Sequence, residues 1–153
     1  MTAPQVISLG CRLNAFEAEL IREQGVGLEN TVIINSCAVT AEAERQTRQT
    51  IRRTRRDNPD ARLIVTGCAA QLDPESFGAM PEVDGLIANA AKLDPRAWNV
   101  PASAPTTAAL HTRAFVAVQN GCDHACTFCV IPQGRGKSRS LPIDEVLREI
   151  ETH

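Results

Sequence analysis

The sequence predicts an α/β protein built on a doubly wound parallel sheet. Short apolar runs at residues 5–10 (QVISLG), 31–35 (TVIIN), 62–66 (RLIVT) and 83–88 (VDGLIA) have the length and β-branched content of buried strands. Helix-like stretches separate them, and a regular β–α alternation implies parallel strands covered by helices.

Each element has its own signal. After the first strand, Phe16, Leu20 and Ile21 recur at helical spacing until Gly25 and Gly27 end the helix. Residues 41–56 read as a long helix, stopped by Asp57-Asn58-Pro59. A short helix is expected at 74–80, opened by Pro74. Residues 1–92 thus form the first domain. Residues 93–112 hold Pro95, Pro101 and Pro105 among alanine, serine and threonine without apolar period, and read as a linker. Residues 113–153 begin a second unit: a strand at 115–119 (FVAVQ), a cysteine-bearing loop, and a helix from about Pro142 with Ile143, Leu147 and Ile150 on one face. That strand has no evident partner in the sequence, and a (β/α) barrel needs roughly 200 residues or more. The chain is therefore read as a fragment.

With 153 residues, 43% of them hydrophobic, the chain can bury a core and is not a disordered protein. A net charge of −2 leaves any nucleic-acid affinity to local patches. No run approaches the roughly 18 apolar residues of a membrane span, and the first residues lack the layout of a signal peptide. The cytoplasm is the expected compartment. In that reducing setting the six cysteines point to metal or catalysis rather than to disulfides.

Three of them, Cys122, Cys126 and Cys129, stand as CDHACTFC directly after a strand. Three nearby thiolates can hold three irons of a [4Fe–4S] cube and leave the fourth without a protein ligand. S-adenosylmethionine can take that open position through its amino and carboxylate groups, and electron transfer then breaks a carbon–sulfur bond. Zinc is the alternative, since His124 lies within the loop, but it stands only two residues from Cys122 and from Cys126, tight for a tetrahedral clamp.

The other three follow strands: Cys11 after VISLG, Cys37 after VIINS and Cys68 after LIVTG. Parallel strands end at one edge, where ligands of such sheets bind. Three cysteines distant in sequence are thereby expected on one rim, a set suited to a second cluster with one open iron. Ordinary burial of cysteine is the competing explanation.

The strings LGCRLNAFEAEL, NSCAVTAEAERQTRQTIRR, VTGCAAQ and FVAVQNGCDHACTFCVIPQGRGKSRS resemble, in order and spacing, the methylthiotransferase family of radical S-adenosylmethionine enzymes. The resemblance covers nearly all of residues 5–152. It implies a flavodoxin-like N-terminal domain whose Cys11, Cys37 and Cys68 hold an auxiliary [4Fe–4S] cluster, and a loop whose Cys122, Cys126 and Cys129 hold the cluster that cleaves S-adenosylmethionine. It also implies methylthio transfer to carbon 2 of a modified adenosine beside the tRNA anticodon, drawing on a reductant and a sulfur donor. A sister branch modifies an aspartate of a ribosomal protein. The motif Cys11-Arg12-Leu13-Asn14 resembles the branch acting on N6-threonylcarbamoyladenosine; the isopentenyl-adenosine branch more often has Gln-Met in place of Arg12-Leu13. Against the family pattern the linker is short, residues 113–153 are read as only the first β–α unit of a truncated radical-SAM (β/α) barrel, and the C-terminal RNA-binding domain is absent.

Arg45, Arg48, Arg52 and Arg55 or Arg56 recur at spacings of three or four, a basic stripe that could meet tRNA phosphate or could be an ordinary solvated face. Arg135, Lys137 and Arg139 lie just beyond the cysteine loop and are candidates for contact with RNA or cofactor. With no tyrosine, four phenylalanines and one tryptophan, an aromatic base-stacking platform is not expected. Two other readings remain beside the enzyme: an inactive iron–sulfur-binding module and a zinc-stabilised binding domain. The sequence leaves the oligomeric state open.

Overall fold

A computed structural model describes residues 3–100 and 115–151. The elements are β1 (Gln5–Ser8), α1 (Arg12–Gln24), β2 (Thr31–Ser36), α2 (Ala41–Asp57), β3 (Arg62–Gly67), α3 (Cys68–Leu72), α4 (Pro74–Gly78), β4 (Gly85–Leu86), a 3-10 turn (Pro95–Trp98), β5 (Gln119–Asn120), α5 (Ile131–Arg135), β6 (Arg139–Ser140) and α6 (Ile143–Glu151). Strands β1 to β4 form one parallel sheet. They lie in chain order, without the exchange of the first two strands found in flavodoxin itself.

Alternation along the strands sends side chains to two faces, and each face has its own core. Val32, Ile34, Leu63 and Val65 pack with Ile51 of α2 and Phe77 of α4. Val6, Ile33 and Ile64 pack with Ala18 and Ile21 of α1 and with Trp98. The expected α/β layering, with helices on both faces, is therefore present. Strands buried on both faces explain why β2 and β3 are nearly continuous apolar runs.

Local signals account for the helix ends. The Thr40 hydroxyl accepts the Ala43 N–H at 3.1 Å to cap α2, with Glu42 and Glu44 in the first turn and Arg55 and Arg56 in the last. Asp73 caps α4 by accepting the Ser76 N–H at 3.2 Å, ahead of Pro74. The fourth strand is shorter than 83–88, because only Ile64 and Val65 offer it partners.

Several expectations need correction. Residues 93–100, read as linker, include the 3-10 turn, and Trp98 is buried with its indole N–H on the Lys92 carbonyl at 2.8 Å. The remainder of that linker, through 112, lies outside the described residues. The strand expected at 115–119 shrinks to β5, and it does have a partner: Gln119 and Asn120 pair antiparallel with Ser140 and Arg139 of β6. The last unit is thus a small ribbon flanking α5 with α6 following, and the start of a barrel is not evident in it. On α6, Ile143, Leu147 and Ile150 share a face as expected, but that face is exposed. Among the described residues no helix is long and apolar enough to cross a membrane.

Candidate iron–sulfur centre

The C-terminal ends of β1, β2 and β3 bring Cys11, Cys37 and Cys68 to one edge of the sheet. Cys11 is the residue before α1 and its side chain caps nothing, so its thiol is exposed and free. Cys37 is buried immediately after β2. Its sulfur lies against Gly10, which has φ +90° and where any Cβ would collide with it, so Cys37 and Cys11 are kept as neighbours. Cys68 opens α3 straight from Gly67, whose φ of +96° allows the turn; a Cβ there would stand 2.6 Å from the Ser36 nitrogen. Burial pushes the Cys68 thiol up from its ordinary range, while Arg135 and Lys92 pull it down.

The cysteine loop forms the second group. Cys122, Cys126 and Cys129 line one concavity of about 760 Å³ with Asp123, Gln133 and Lys137. The loop is tied across its neck by the Cys122 N–H to the Gly136 carbonyl at 3.1 Å and by the Ser138 N–H to the Asp123 carboxylate at 3.0 Å. All six cysteines are free thiols.

The two groups meet through α5. Gly134 sits so close to Cys68 that a Cβ would be 3.2 Å from the cysteine's own Cβ. Asn89 donates to the Gly134 carbonyl at 2.5 Å and lies 3.7 Å from the Cys68 sulfur. Next in the chain, Arg135 is buried and donates to both oxygens of Glu17, at 2.8 and 3.0 Å, and to Asn14 at 2.7 Å. Lys92, also buried, places its ammonium 2.7 Å from Glu17 and donates to Asn35 at 3.1 Å. Asn14 in turn donates to the carbonyls of Leu9 and Ser36, fastening the ends of β1 and β2 beside Cys11 and Cys37. Burial works to raise the Glu17 carboxyl, but Arg135 and Lys92 outweigh it and hold it below the usual carboxylate range. For Lys92 burial wins over Glu17, and the ammonium is pushed down. For Arg135 burial opposes the charge, yet Glu17 more than compensates and the guanidinium is raised.

Arg135, a candidate for RNA contact by its place in the sequence, is instead buried with its guanidinium bonded to Glu17 and Asn14. The α2 arginines are also engaged. Arg45 pairs with Glu42 at 2.9 Å, Arg48 with Glu44 at 2.9 Å and Asp73 at 3.2 Å, and Arg52 approaches Glu82 at 3.9 Å. Arg48 also stacks over Phe77, and Arg55 binds Asp84 and the Glu82 carbonyl. The stripe is present, and Arg45, Arg48, Arg52 and Arg55 each stand beside a carboxylate. Arg139 is exposed, with one long contact of 3.4 Å to the Arg135 carbonyl.

Sequence reasoning missed Glu17, Lys92 and Asn89. Glu17 carried a signal, since Asn14, Glu17, Ala18 and Ile21 fall on one helical stripe, where a carboxylate needs a buried partner. Lys92 and Asn89 stand in irregular chain and gave none.

Residues 4–88 match the model described as Uncharacterized protein family UPF0004. This chain belongs to the UPF0004 family. Among the relatives of this UPF0004 member is the threonylcarbamoyladenosine tRNA methylthiotransferase MtaB of Rickettsia prowazekii (strain Madrid E), 43% identical over 165 residues, covering 96% of this chain and 39% of the relative. The MtaB protein of Chlamydia pneumoniae is 35% identical over 164 residues, covering 95% of this chain and 39% of the relative. The ribosomal protein uS12 methylthiotransferase RimO of Sorangium cellulosum (strain So ce56) is 30% identical over 176 residues, covering 95% and 36%. The chain thus spans about two fifths of the length of these relatives.

The cysteine sets fit iron–sulfur ligation in donor chemistry: two groups of three free thiols, one of them beside two buried cations. Among the described residues no three histidine, cysteine or acidic side chains are arranged to hold a single metal ion.

Proposed function

We propose that this chain is the N-terminal part of a tRNA methylthiotransferase that adds a methylthio group to carbon 2 of a modified adenosine, N6-threonylcarbamoyladenosine, by radical S-adenosylmethionine chemistry. The observation that carries the proposal is the docking of α5 on Cys68, which joins the strand-end cysteines to the cysteine loop. The names of the MtaB relatives support the substrate.

In this reading Cys11, Cys37 and Cys68 hold one [4Fe–4S] cluster, and Cys122, Cys126 and Cys129 hold another that binds S-adenosylmethionine. Together the clusters supply reductive carbon–sulfur cleavage and a site for sulfur. The protein's own contribution is placement. Gly10 and Gly67 let the strand ends close on the cysteines, Asn14 fastens those ends, and the neck of the loop holds the second group over its concavity. In this reading a reductant and a sulfur donor are the further partners, and the cytoplasm is the compartment. For RNA contact, Arg139 beside the loop is the strongest candidate. Arg45 and Arg52 would each have to leave a carboxylate to reach a phosphate, and Arg48 would have to leave two.

The test is formation of 5′-deoxyadenosine from S-adenosylmethionine by the anaerobically reconstituted and reduced chain, followed by mass spectrometry. Product from wild type and none from Cys126→Ala is expected. Equal product from both, or none from either despite a loaded loop, would refute catalytic use of the loop in this chain.

A further inference from the structure

We propose that Glu17, Lys92 and Arg135 form a buried charge clamp that positions the cysteine loop against the strand-end cysteines and leaves one surplus positive charge beside them. The inference rests on the iron–sulfur reading above for its electrical part and on geometry alone for its mechanical part.

The mechanical part follows from the bonds. Arg135 is the last residue of α5, six residues after Cys129, and its carboxylate partner lies on α1 of the sheet domain. Glu17 takes two hydrogen bonds from Arg135 and one contact from Lys92, while Asn14 and Asn120 accept from the remaining edges of the guanidinium at 2.7 and 3.1 Å. Asn120 belongs to β5, at the entry of the loop, and Gly136 at its exit holds Cys122. Both ends of the loop therefore converge on one guanidinium. A surface pair could not do this, because exposed ion pairs exchange freely with water and contribute little. A fully buried, multiply bonded arginine fixes a geometry.

The electrical part follows from the count of charges. One carboxylate faces two cations, and all three side chains are nearly inaccessible. An unbalanced buried cation is costly unless negative charge lies nearby. Cys68 packs directly against Gly134, the residue before Arg135, and thiolates that carry a cluster supply negative charge. The clamp thus stabilises the more reduced, more negative state of whatever cluster the strand ends hold.

Two measurements on the full chain test this. In the metal-free protein, Arg135→Met should speed amide exchange across residues 130–136 by about tenfold or more, the loss expected for charge-assisted bonds, while β2 and β3 stay protected. Unchanged exchange in that segment would overturn the clamp. In reconstituted protein carrying Cys126→Ala, with only the strand-end cluster loaded, Lys92→Met should move its reduction potential negative and Glu17→Gln should move it positive. Shifts of the same sign would mean mere structural damage and would overturn the electrical part. If the parent takes up no iron, the iron–sulfur reading of the strand ends fails, and the exchange result still decides the clamp.

Discussion

Removing the carboxylate of Glu17 is predicted to destabilise the fold far more than removing the ammonium of Lys92, although the two groups form one ion pair. Both cations reach the same oxygen of Glu17, Lys92 at 2.7 Å and Arg135 at 3.0 Å. The two positive groups are therefore less than about 6 Å apart, and at an effective dielectric near 20 their unshielded repulsion is about 3 kcal/mol. Breaking a buried pair and stranding a charge typically costs about 3–5 kcal/mol, in agreement. Lys92→Met instead leaves Glu17 satisfied by two bonds from Arg135 and removes one desolvated charge; the cost, chiefly the donor lost to Asn35, is about 1 kcal/mol. In urea unfolding at pH 7, with a slope of about 2 kcal/mol/M, Glu17→Gln should lower the midpoint by about 2 M and Lys92→Met by about 0.5 M. The double variant should be more stable than Glu17→Gln alone, since it removes the repulsion. Equal losses for the two single variants, or a double variant worse than both, would show that repulsion between Lys92 and Arg135 does not set the cost.

Three further outcomes follow from the same structure. Because the Glu17 carboxyl lies below its unfolded value of 4.5, its stabilisation is complete above that pH and disappears as pH falls through the folded value; urea midpoints taken down to pH 3 should decline more steeply for wild type than for Glu17→Gln. Gly10→Ala forces a side chain into φ +90° and against the Cys37 sulfur, so it should cost about 1–2 kcal/mol and reduce iron uptake at the strand-end cysteines while the loop still loads. Ile51→Ala empties a fully buried position between α2 and the sheet and should cost about 2–5 kcal/mol in the same urea assay, without altering the iron bound per folded molecule.

The sheet domain was legible because its signals are local. β2 and β3 are continuous apolar runs, Asn58-Pro59 stops α2, and Gly25 ends α1. The strand-end cysteines were legible by topology, since parallel strands finish on one edge. What escaped was non-local. Nothing near Trp98 announces burial, and proline-rich surroundings suggested a linker until a hydrophobic slot beside Ile64 claimed the indole. The antiparallel partner of Gln119 is some twenty residues away, across the cysteine loop, in a two-residue strand too short to show a period. Arg135 illustrates the same limit for function. Its place in a basic cluster suggested RNA, whereas its true partner lies 118 positions upstream. A lone charge in sequence does not reveal whether its counter-charge is a phosphate or a buried carboxylate.

Two separate iron–sulfur sites on one chain would show directly in its metal content. Iron, sulfide and zinc should be measured after anaerobic reconstitution of wild type and of Cys122→Ala. About eight irons falling to about four, each matched by sulfide, is the predicted result for two independent cubes. About four irons unaffected by Cys122→Ala would confine the metal to the strand ends, and zinc without sulfide would contradict iron–sulfur sites at both cysteine sets.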